Sequence, residues 1–178
     1  MVLTIEADLQ RAAWQAIEGK AGSAVAMDPR DGSILAMVSS PSFDPNLFNE
    51  GISGELWNQL QSNPFAPLSN KAISGQYPPG STYKLIVAAA ALEEGIITPD
   101  TKVFCNGFFT LGNRTYRCWK RGGHGHVDLH KAIVGSCDVY FYTVGKMLGV
   151  DKIAEYARRF GLGETAGIDL PNEKKGLV

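Results

Sequence analysis

One segment, residues 77–95, constrains the fold of this chain more than any other. It opens with the turn-forming residues Tyr77-Pro78-Pro79-Gly80 and continues into an alanine-rich apolar run that stops at Gly95. Glycine is typical of helix C-caps, and the small side chains at 88–91 allow neighbouring elements to pack closely. The sequence therefore predicts a helix over 81–94 that is buried at the centre of a domain.

The first turn of this predicted helix carries Ser81 and Lys84. Residues at i and i+3 lie on one helix face, so the amine can reach the hydroxyl. An unprotonated amine activates a serine, and the free N–H groups of a first helical turn favour an oxyanion. The pair indicates a nucleophile, Ser81, with its base, Lys84. The alternative is a helix-capping serine followed by a surface lysine.

Composition and charge narrow the class of protein. The chain has 178 residues, of which 44 % are hydrophobic and 20 % are charged, which is enough for one core. Its net charge of -1 argues against nucleic acid as the principal partner, and we interpret the basic stretch Arg114 to Arg121 as the polar face of a hairpin. No run approaches the roughly 18 apolar residues of a membrane span. No signal peptide is visible, so we expect a cytosolic protein or one whose targeting segment is absent from this sequence.

Hydrophobic periodicity and turn residues predict the other elements. Helices are expected over 5–18, 53–61 and 151–160, after Asp128, and around Phe141. Strands are expected at 24–27 and 34–38, on either side of the turn Asp28-Pro29-Arg30-Asp31-Gly32. A second hairpin is expected over 103–119, turning at Gly112-Asn113, with strand residues Phe108, Phe109, Leu111, Tyr116 and Trp119.

Three cysteines, Cys105, Cys118 and Cys137, cannot all pair within one chain. Together with His124 they form a Cys₃His set, which is suitable for structural zinc. His126 is the second choice for the histidine ligand, and His130 is the third. Because Cys105 and Cys118 are nearly symmetric about the Gly112-Asn113 turn, a disulfide between them is an alternative. Three unrelated buried thiols are another.

Several motifs follow one another along the chain, beginning with Leu3-Thr4-Ile5. They continue with Asp28-Pro29-Arg30-Asp31-Gly32-Ser33-Ile34-Leu35-Ala36-Met37-Val38-Ser39, Pro41-Ser42-Phe43-Asp44-Pro45-Asn46, Pro67-Leu68-Ser69-Asn70-Lys71-Ala72-Ile73 and Tyr77-Pro78-Pro79-Gly80-Ser81-Thr82-Tyr83-Lys84. In this order they resemble the transpeptidase domain of class B penicillin-binding proteins over essentially the whole chain. Residues 43–48 and 119–126 look most like the elongation-type members, with the cell-division type as the nearer rival.

This resemblance implies an α+β fold of the penicillin-binding and β-lactamase-like kind. A helical subdomain would surround the Ser81 helix, next to part of an antiparallel sheet. Residues 1–178 would be the N-terminal portion of one transpeptidase domain, with a hairpin insertion at about 103–126. The family's Lys-Thr/Ser-Gly motif does not occur in the sequence. The resemblance therefore implies a chain that stops before this motif and is poorly active alone.

The resemblance also assigns roles to site residues. Ser81 would be the acylated nucleophile and Lys84 the general base. The family's Ser-x-Asn motif falls on Ser136-Cys137-Asp138, so that Ser136 would relay a proton to the leaving amine. Asp138 departs from the asparagine of this motif, and a carboxylate beside Lys84 favours the charged amine more than an amide does. Taken alone, Ser136 is better explained as a helix-start hydroxyl; its combination with the Ser81 motif favours catalysis.

The activity implied is that of a peptidoglycan D,D-transpeptidase of cell elongation, which needs no catalytic cofactor. Ser81 would attack the D-Ala-D-Ala carbonyl of a stem peptide, release D-alanine and pass the acyl group to a neighbouring stem, and β-lactams would acylate it. The implied partners are stem peptides, β-lactams and a wall-elongation complex with a glycosyltransferase. The implied location is the periplasmic face of the bacterial inner membrane, through an anchor that is not visible here.

Two other functions stay open at this point. One is a serine β-lactamase-type hydrolase, which would turn penicillin over rather than hold it. The other is a non-catalytic module that senses β-lactams or acts as a scaffold. The activated serine itself follows from the residues, whereas the substrate follows from the resemblance.

Overall fold

The computed structural model describes residues 2–49 and 51–178, which form two compact units. The first unit contains the chain up to Gln76 together with Ile168–Lys174. The second contains Tyr77–Gly167 and Lys175–Val178. Helices and antiparallel strand pairs occur together, which confirms the predicted α+β class.

The first unit is built on one helix and one hairpin. Helix α1 (Ala7–Ile17) packs on the antiparallel strands β1 (Gly22–Met27) and β2 (Ile34–Ser40). The helix and both strands are those predicted at 5–18, 24–27 and 34–38. The Gln10 side chain fastens the helix to the hairpin, because its amide accepts a hydrogen bond from the Met37 N–H and donates one to the Met37 carbonyl, both at 2.8 Å. Ala36 and Val38 point inward and are buried.

Short capped helices complete this unit. A 3₁₀ turn over Pro45–Phe48 precedes α2 (Gly54–Ser62), which confirms the helix predicted at 53–61. The Ser53 side chain caps α2 by accepting from the Leu56 N–H, and the Asn70 side chain caps α3 (Lys71–Ser74) in the same way. Polar side chains at N-caps satisfy amide groups that have no partner inside the helix.

The second unit is organised around α4 (Tyr83–Glu93). A 3₁₀ turn over Gly80–Thr82 leads into this helix, so the predicted helix at 81–94 is present with a tighter first turn than expected. Ala90 and Ala91 are fully buried against the rest of the core, as the small side chains predict. Gly95 adopts φ +65° after the last turn, where a glycine C-cap was expected.

Three further helices surround α4: α5 (Leu129–Val134), α6 (Asp138–Leu148) and α7 (Val150–Arg159). The Asp128 carboxylate caps α5 by accepting from the Lys131 N–H at 2.8 Å, as predicted. Among the described residues, none of the helices is both long and apolar enough to cross a bilayer.

The strands of the second unit differ from the prediction in one respect. Strand β4 (Phe108–Leu111) pairs with β5 (Arg114–Arg117) around Gly112-Asn113, as expected. Strand β3 (Val103–Cys105), however, pairs with β6 (Gly125–Val127), so 103–119 is not one continuous hairpin, and Trp119 lies outside the strands. The reason is a chain reversal at Gly107, whose φ of +98° breaks the strand between β3 and β4.

Candidate active site

The nucleophile predicted from the sequence lies at the start of the central helix. Ser81 occupies the 3₁₀ turn Gly80–Thr82 and is exposed to solvent. Its Oγ accepts a hydrogen bond from the Ser136 Oγ at 2.9 Å. Gly80 adopts φ +61°, a conformation that glycine tolerates without strain and that turns the chain into the helix. The hydroxyl is thus accessible and held by a second serine.

The Lys84 amine donates three hydrogen bonds, two to Ser136 and one to Asp138. It donates to the Ser136 Oγ at 3.0 Å, to the Ser136 carbonyl at 2.9 Å and to the Asp138 Oδ1 at 2.6 Å. Within the described residues, no hydrogen bond joins the Lys84 amine directly to the Ser81 Oγ. The sequence predicts that the amine reaches the hydroxyl; in the structure Ser136 lies between them and bonds to both.

Ser136 reaches this bridging position through an unusual backbone conformation. Its φ of +46° lies in the left-handed region, which is costly for a residue other than glycine. Hydrogen bonds hold this loop after the end of α5, from the Ser136 N–H to the Ile133 carbonyl and from the Cys137 N–H to the Ala132 carbonyl. Strained residues persist where surrounding contacts demand them. The Ser136 hydroxyl does not cap α6, because Cys137 occupies the N-cap position of that helix.

Asp138, at the first position of α6, uses both of its carboxylate oxygens. Oδ1 accepts from Lys84, and Oδ2 accepts from the Trp119 backbone N–H at 2.9 Å. Burial alone would raise the pKa of Asp138, but the hydrogen bonds from Lys84 and Trp119 outweigh it and hold that pKa below its usual 3.8. The aspartate therefore stays ionised and joins the lysine to the chain that follows β5.

A cavity of about 620 Å³ lies beside these groups. Ser81, Lys84 and Asp138 line part of its wall. The remainder is largely apolar and aromatic, with Tyr83, Val87, Phe109, Leu111, Tyr116, Phe141 and Tyr142 among the lining residues. An apolar pocket with a few convergent polar groups is the usual form of a ligand site. Sequence patterns predict strands and helices for aromatic residues of this wall but carry no signal that connects these residues to the site.

The Cys₃His set is also brought together. The ligand atoms of Cys105, Cys118, His124 and Cys137 all lie within 4.8 Å of one another. The His124 Nδ1 is 3.6 Å from the Cys105 Sγ and 3.5 Å from the Cys118 Sγ. All three cysteines are buried free thiols, so the structure contains no Cys105–Cys118 disulfide.

The other two histidines lie outside this cluster. His126 stacks on Phe104 across the β3–β6 pair, with ring centroids 4.9 Å apart, and His130 is exposed on α5. Neither residue belongs to the group of potential ligands found in the described residues. The first-choice histidine, His124, is therefore the one that the fold places next to the thiols.

The thiols differ in their electrostatic environment. Burial raises the pKa of Cys137 to about 12. Burial also acts to raise the pKa of Cys105, but hydrogen bonds from the backbone of His124 and Gly107 outweigh it and lower that pKa. The thiolate form is therefore favoured more at Cys105 than at Cys137.

The cluster and the serine network share parts of the chain. Cys137 stands between Ser136 and Asp138, and Cys118 precedes Trp119, whose N–H contacts Asp138. The Trp119 Nε1 also donates to the Gly135 carbonyl at 3.0 Å. Sequence reasoning missed Trp119 because its contact is made by the backbone, which leaves no signature in side-chain type.

A helix-start serine linked to a lysine and to a second serine is typical of active-site-serine acyl-transferring enzymes. The family model described as the penicillin binding protein transpeptidase domain matches residues 22–178. The chain therefore belongs to the penicillin-binding protein transpeptidase family, as its motifs indicated.

Relatives agree with this assignment. The chain is 45 % identical to the peptidoglycan D,D-transpeptidase MrdA of Acinetobacter baumannii, over 99 % of the chain and 27 % of that protein. It superposes with a TM-score of 0.92 on Pseudomonas aeruginosa PBP2 in complex with WCK 5153. The two are 43 % identical, and the match covers 100 % of this chain and 41 % of the PBP2 chain.

A third relative is Helicobacter pylori PBP2, solved in a complex with MreC. It gives a TM-score of 0.92 at 38 % identity, and the match covers 97 % of this chain and 33 % of the Helicobacter pylori chain. The chain thus spans only a quarter to two fifths of the length of these relatives. These matches confirm the predicted fold and the predicted elongation-type family.

Proposed function

We propose that this chain carries the nucleophile, base and relay of a peptidoglycan D,D-transpeptidase of the elongation type. The observation that carries the proposal is the continuous chain of hydrogen bonds from Ser81 through Ser136 to Lys84 and Asp138. Relatives that are named as peptidoglycan D,D-transpeptidases support the proposal. The cavity beside Ser81 offers the apolar wall that a bound acyl donor needs.

In the proposed reaction the Ser81 Oγ attacks the carbonyl carbon of the penultimate D-alanine. In the structure Lys84 donates to the Ser136 Oγ and Ser136 donates to the Ser81 Oγ, so the amine must first release a proton to solvent and both hydrogen bonds must reverse. The Ser81 proton then passes to the Ser136 Oγ, while the Ser136 proton passes to the uncharged Lys84 amine. The tetrahedral oxyanion is stabilised by N–H groups of the first helical turn. The carbon–nitrogen bond then breaks and Ser136 gives a proton to the leaving D-alanine amine. Lys84 returns its extra proton to Ser136 and is uncharged again, and an acyl ester remains on Ser81.

A second stem peptide completes the cycle. Its amine attacks the ester carbonyl, loses a proton through the same Ser136–Lys84 relay, and restores the Ser81 hydroxyl. Asp138 remains ionised throughout and keeps the amine aimed at Ser136. β-Lactams enter the first half of this cycle and stop at the acyl-serine stage.

The nucleophile is tested by labelling with a fluorescent penicillin in the full protein. Ser81→Ala should abolish labelling because the attacking oxygen is gone. Thr82→Ala is the matched control, since it removes the neighbouring exposed hydroxyl, which bonds to the Pro79 carbonyl and not to the relay. Labelling that survives in Ser81→Ala would point to a different nucleophile and would contradict the proposal.

We propose in addition that Cys105, Cys118, His124 and Cys137 hold a structural Zn²⁺ ion. Zinc–sulfur and zinc–nitrogen bonds of about 2.3 and 2.0 Å place tetrahedral ligands roughly 3.5–3.8 Å apart. The sulfur–nitrogen distances of 3.5 and 3.6 Å match this spacing. A closed Cys₃His site has no open position for water, so its role would be to fasten the strands to the loop that carries Ser136.

Metal analysis of the purified protein tests this site. We expect about one equivalent of zinc in the unmodified protein and in His126→Ala, and a clear loss in His124→Ala. The two variants make the same change two residues apart, which separates a ligand from a nearby surface histidine. Less than about half an equivalent in the unmodified protein would remove the zinc hypothesis.

We also propose that the protein works at the periplasmic face of the inner membrane, within a wall-elongation complex. Family membership and the MreC complex of the Helicobacter pylori relative support this location and this kind of partner. Protease accessibility in spheroplasts tests it: the domain should be cut from outside the inner membrane. Protection until the membrane is lysed would contradict the proposal.

A further inference from the structure

The chain between Asp100 and Asp128 contains no acidic residue. It carries five cationic side chains: Lys102, Arg114, Arg117, Lys120 and Arg121. The other residues hold the remaining 12 basic side chains and all 18 acidic ones, and the whole chain has a net charge of -1. Positive charge is thus concentrated on β5 and on the loops that flank the two strand pairs, which favours an anionic ligand there.

Two of these cations lie on the outer face of the β4–β5 hairpin or beside it. Arg117 pairs directly with Phe108 across the hairpin, so the two side chains share one face. Arg121 joins them, and together with Gly107, Thr115 and Cys118 they line a cavity of about 340 Å³. This cavity is separate from the one that contains Ser81. It offers two guanidinium groups, one hydroxyl and one aromatic wall.

The backbone fixes both arginine-bearing segments at the same point. The Gly107 carbonyl accepts a hydrogen bond from the Cys118 N–H at 2.8 Å, next to Arg117. A Cβ atom on Gly107 would lie 2.3 Å from the Arg121 carbonyl oxygen, so only glycine allows this approach. Gly123 is packed in the same way, since its Cβ would lie 2.1 Å from the Cys105 carbonyl oxygen. The two guanidinium groups therefore extend from a preorganised base.

Both arginines are available to a ligand. Arg117 and Arg121 are exposed, and neither forms an ion pair with any residue that the structure describes. Guanidinium groups bind carboxylates with two parallel hydrogen bonds, which makes them more selective than ammonium groups. The adjacent Phe108 ring, which is 48 % exposed, supplies apolar contact for the chain that bears such a carboxylate.

The position of Trp119 connects this cavity to the chemistry. Trp119 lies two residues from both Arg117 and Arg121, and its N–H contacts Asp138, the partner of Lys84. The segment that bears both arginines is therefore joined to the partner of Lys84 by a backbone hydrogen bond, while its cavity lies on the opposite face of the β4–β5 hairpin from the cavity that contains Ser81.

Resting on the proposed function, we propose that Arg117, Arg121 and Phe108 form a subsite that binds a free carboxylate of the acyl-donor stem peptide. The subsite recognises the donor through charge, away from the D-Ala-D-Ala end that reacts. Its arginines are positioning residues, because they contact the substrate at a distance from the reacting atoms. Small penicillins, which lack the rest of the stem peptide, do not use it.

The test compares two double variants of the full protein. Arg117→Gln/Arg121→Gln removes the subsite charges, and Arg158→Gln/Lys175→Gln removes two exposed charges of the same unit that lie outside the segment 101–127. D-alanine release is measured with a stem pentapeptide that has a free side-chain carboxylate and with the same peptide amidated. Acylation by a fluorescent penicillin is measured in parallel.

We expect kcat/KM for the free-carboxylate peptide to fall about tenfold in Arg117→Gln/Arg121→Gln, mostly through KM, because a charge-assisted pair is lost. The control pair should stay within about twofold of the unmodified protein, as should penicillin acylation in both variants. Amidation should slow the unmodified protein by a similar factor and should slow the subsite variant no further, since both changes remove one contact.

Other outcomes overturn the inference. Equal losses in both double variants would mean general charge steering, and an amidated peptide that reacts as fast as the free acid would exclude a carboxylate contact. Binding to phosphatidylglycerol vesicles that is lost in Arg117→Gln/Arg121→Gln, with normal peptide kinetics, would assign the arginines to a membrane surface. If the subsite variant no longer reacts with penicillin, its peptide kinetics are uninformative. The comparison of free and amidated peptide on the unmodified protein then tests the carboxylate contact by itself. Absence of both reactions in the unmodified protein would overturn the proposed function as well.

Discussion

Asp138 stands where the family motif has asparagine, and the structure shows what the carboxylate adds. It makes a charged contact of 2.6 Å with the Lys84 amine and still accepts the Trp119 N–H. Both side chains of this pair are largely buried, with 15 % and 21 % of their surface exposed. Removing one partner of such a pair leaves the other charge poorly compensated.

This pair gives the first prediction at the scale of single residues. Because the pKa of Asp138 is lowered on folding, its contribution to stability is fully present above about pH 5 and is lost as the pH falls below 3.8 through the lowered value. Asp138→Asn should therefore cost about 1–3 kcal/mol of unfolding free energy at pH 7, and this difference should shrink at pH 3.

Urea unfolding at pH 7, 5 and 3 measures this dependence. Asp151→Asn is a suitable control, since that aspartate is exposed in the first turn of α7 and forms no ion pair with a described residue. Its effect should be small and independent of pH. A cost for Asp138→Asn that stays constant down to pH 3 would show that the ion pair does not contribute in this way.

Short motifs selected the residues of the candidate site. Ser81 and Lys84 were predicted from their spacing and Ser136 and Asp138 from the family resemblance, and the structure brings these four side chains together. Their detailed connection was not predictable. The bridge through Ser136 depends on its φ of +46°, and local residue types do not encode a left-handed serine.

At the scale of elements, the two strand pairs of the second unit depend on close backbone contact. Gly107 and Gly123 bring the end of β3 against the loop after β5, where no Cβ fits. The sequence predicted the β4–β5 turn from Gly112-Asn113, since turn chemistry is local. It did not predict the β3–β6 pair, because that pairing joins residues about 20 positions apart and depends on these contacts.

Replacing one of these glycines tests the junction. Gly123→Ala should lower the free energy of unfolding by about 2 kcal/mol or more, because its Cβ would clash with the Cys105 carbonyl and its φ of +75° is strained for alanine. Gly122→Ala makes the same change one residue earlier, where nothing lies within 4 Å and φ is ordinary, and should have little effect. Equal stabilities of the two variants would contradict the close contact.

At the scale of the whole molecule, the chain forms most of the first unit, then the second unit, and then adds a last segment to the first. No local sequence pattern predicts this order. After building the second unit it returns to the first over Ile168–Lys174, where the Lys174 N–H donates to the Ile73 carbonyl at 2.9 Å. This contact joins residues about 100 positions apart. Periodicity and motifs describe neighbours along the chain, so they predict elements and site residues better than they predict such a return.

These 178 residues, assayed by themselves, give the last prediction, which concerns the rate of acylation. In the family, the Lys-Thr/Ser-Gly strand supplies one oxyanion N–H, and this triplet does not occur here. Loss of one oxyanion donor lowers rates by about 10²–10³-fold. The chain alone should therefore be acylated by penicillin at least about 100-fold more slowly than a full-length elongation-type relative.

Timed labelling followed by intact mass measurement checks this rate, with Ser81→Ala defining the background. The adduct, once formed, should persist, because deacylation uses the same oxyanion donors as acylation and is slowed with it. Rapid regeneration of unlabelled chain with hydrolysed penicillin would instead favour a β-lactamase-type hydrolase. A labelling rate within about tenfold of the relative would show that the Ser81 network and its helix turn make a complete oxyanion site without that strand.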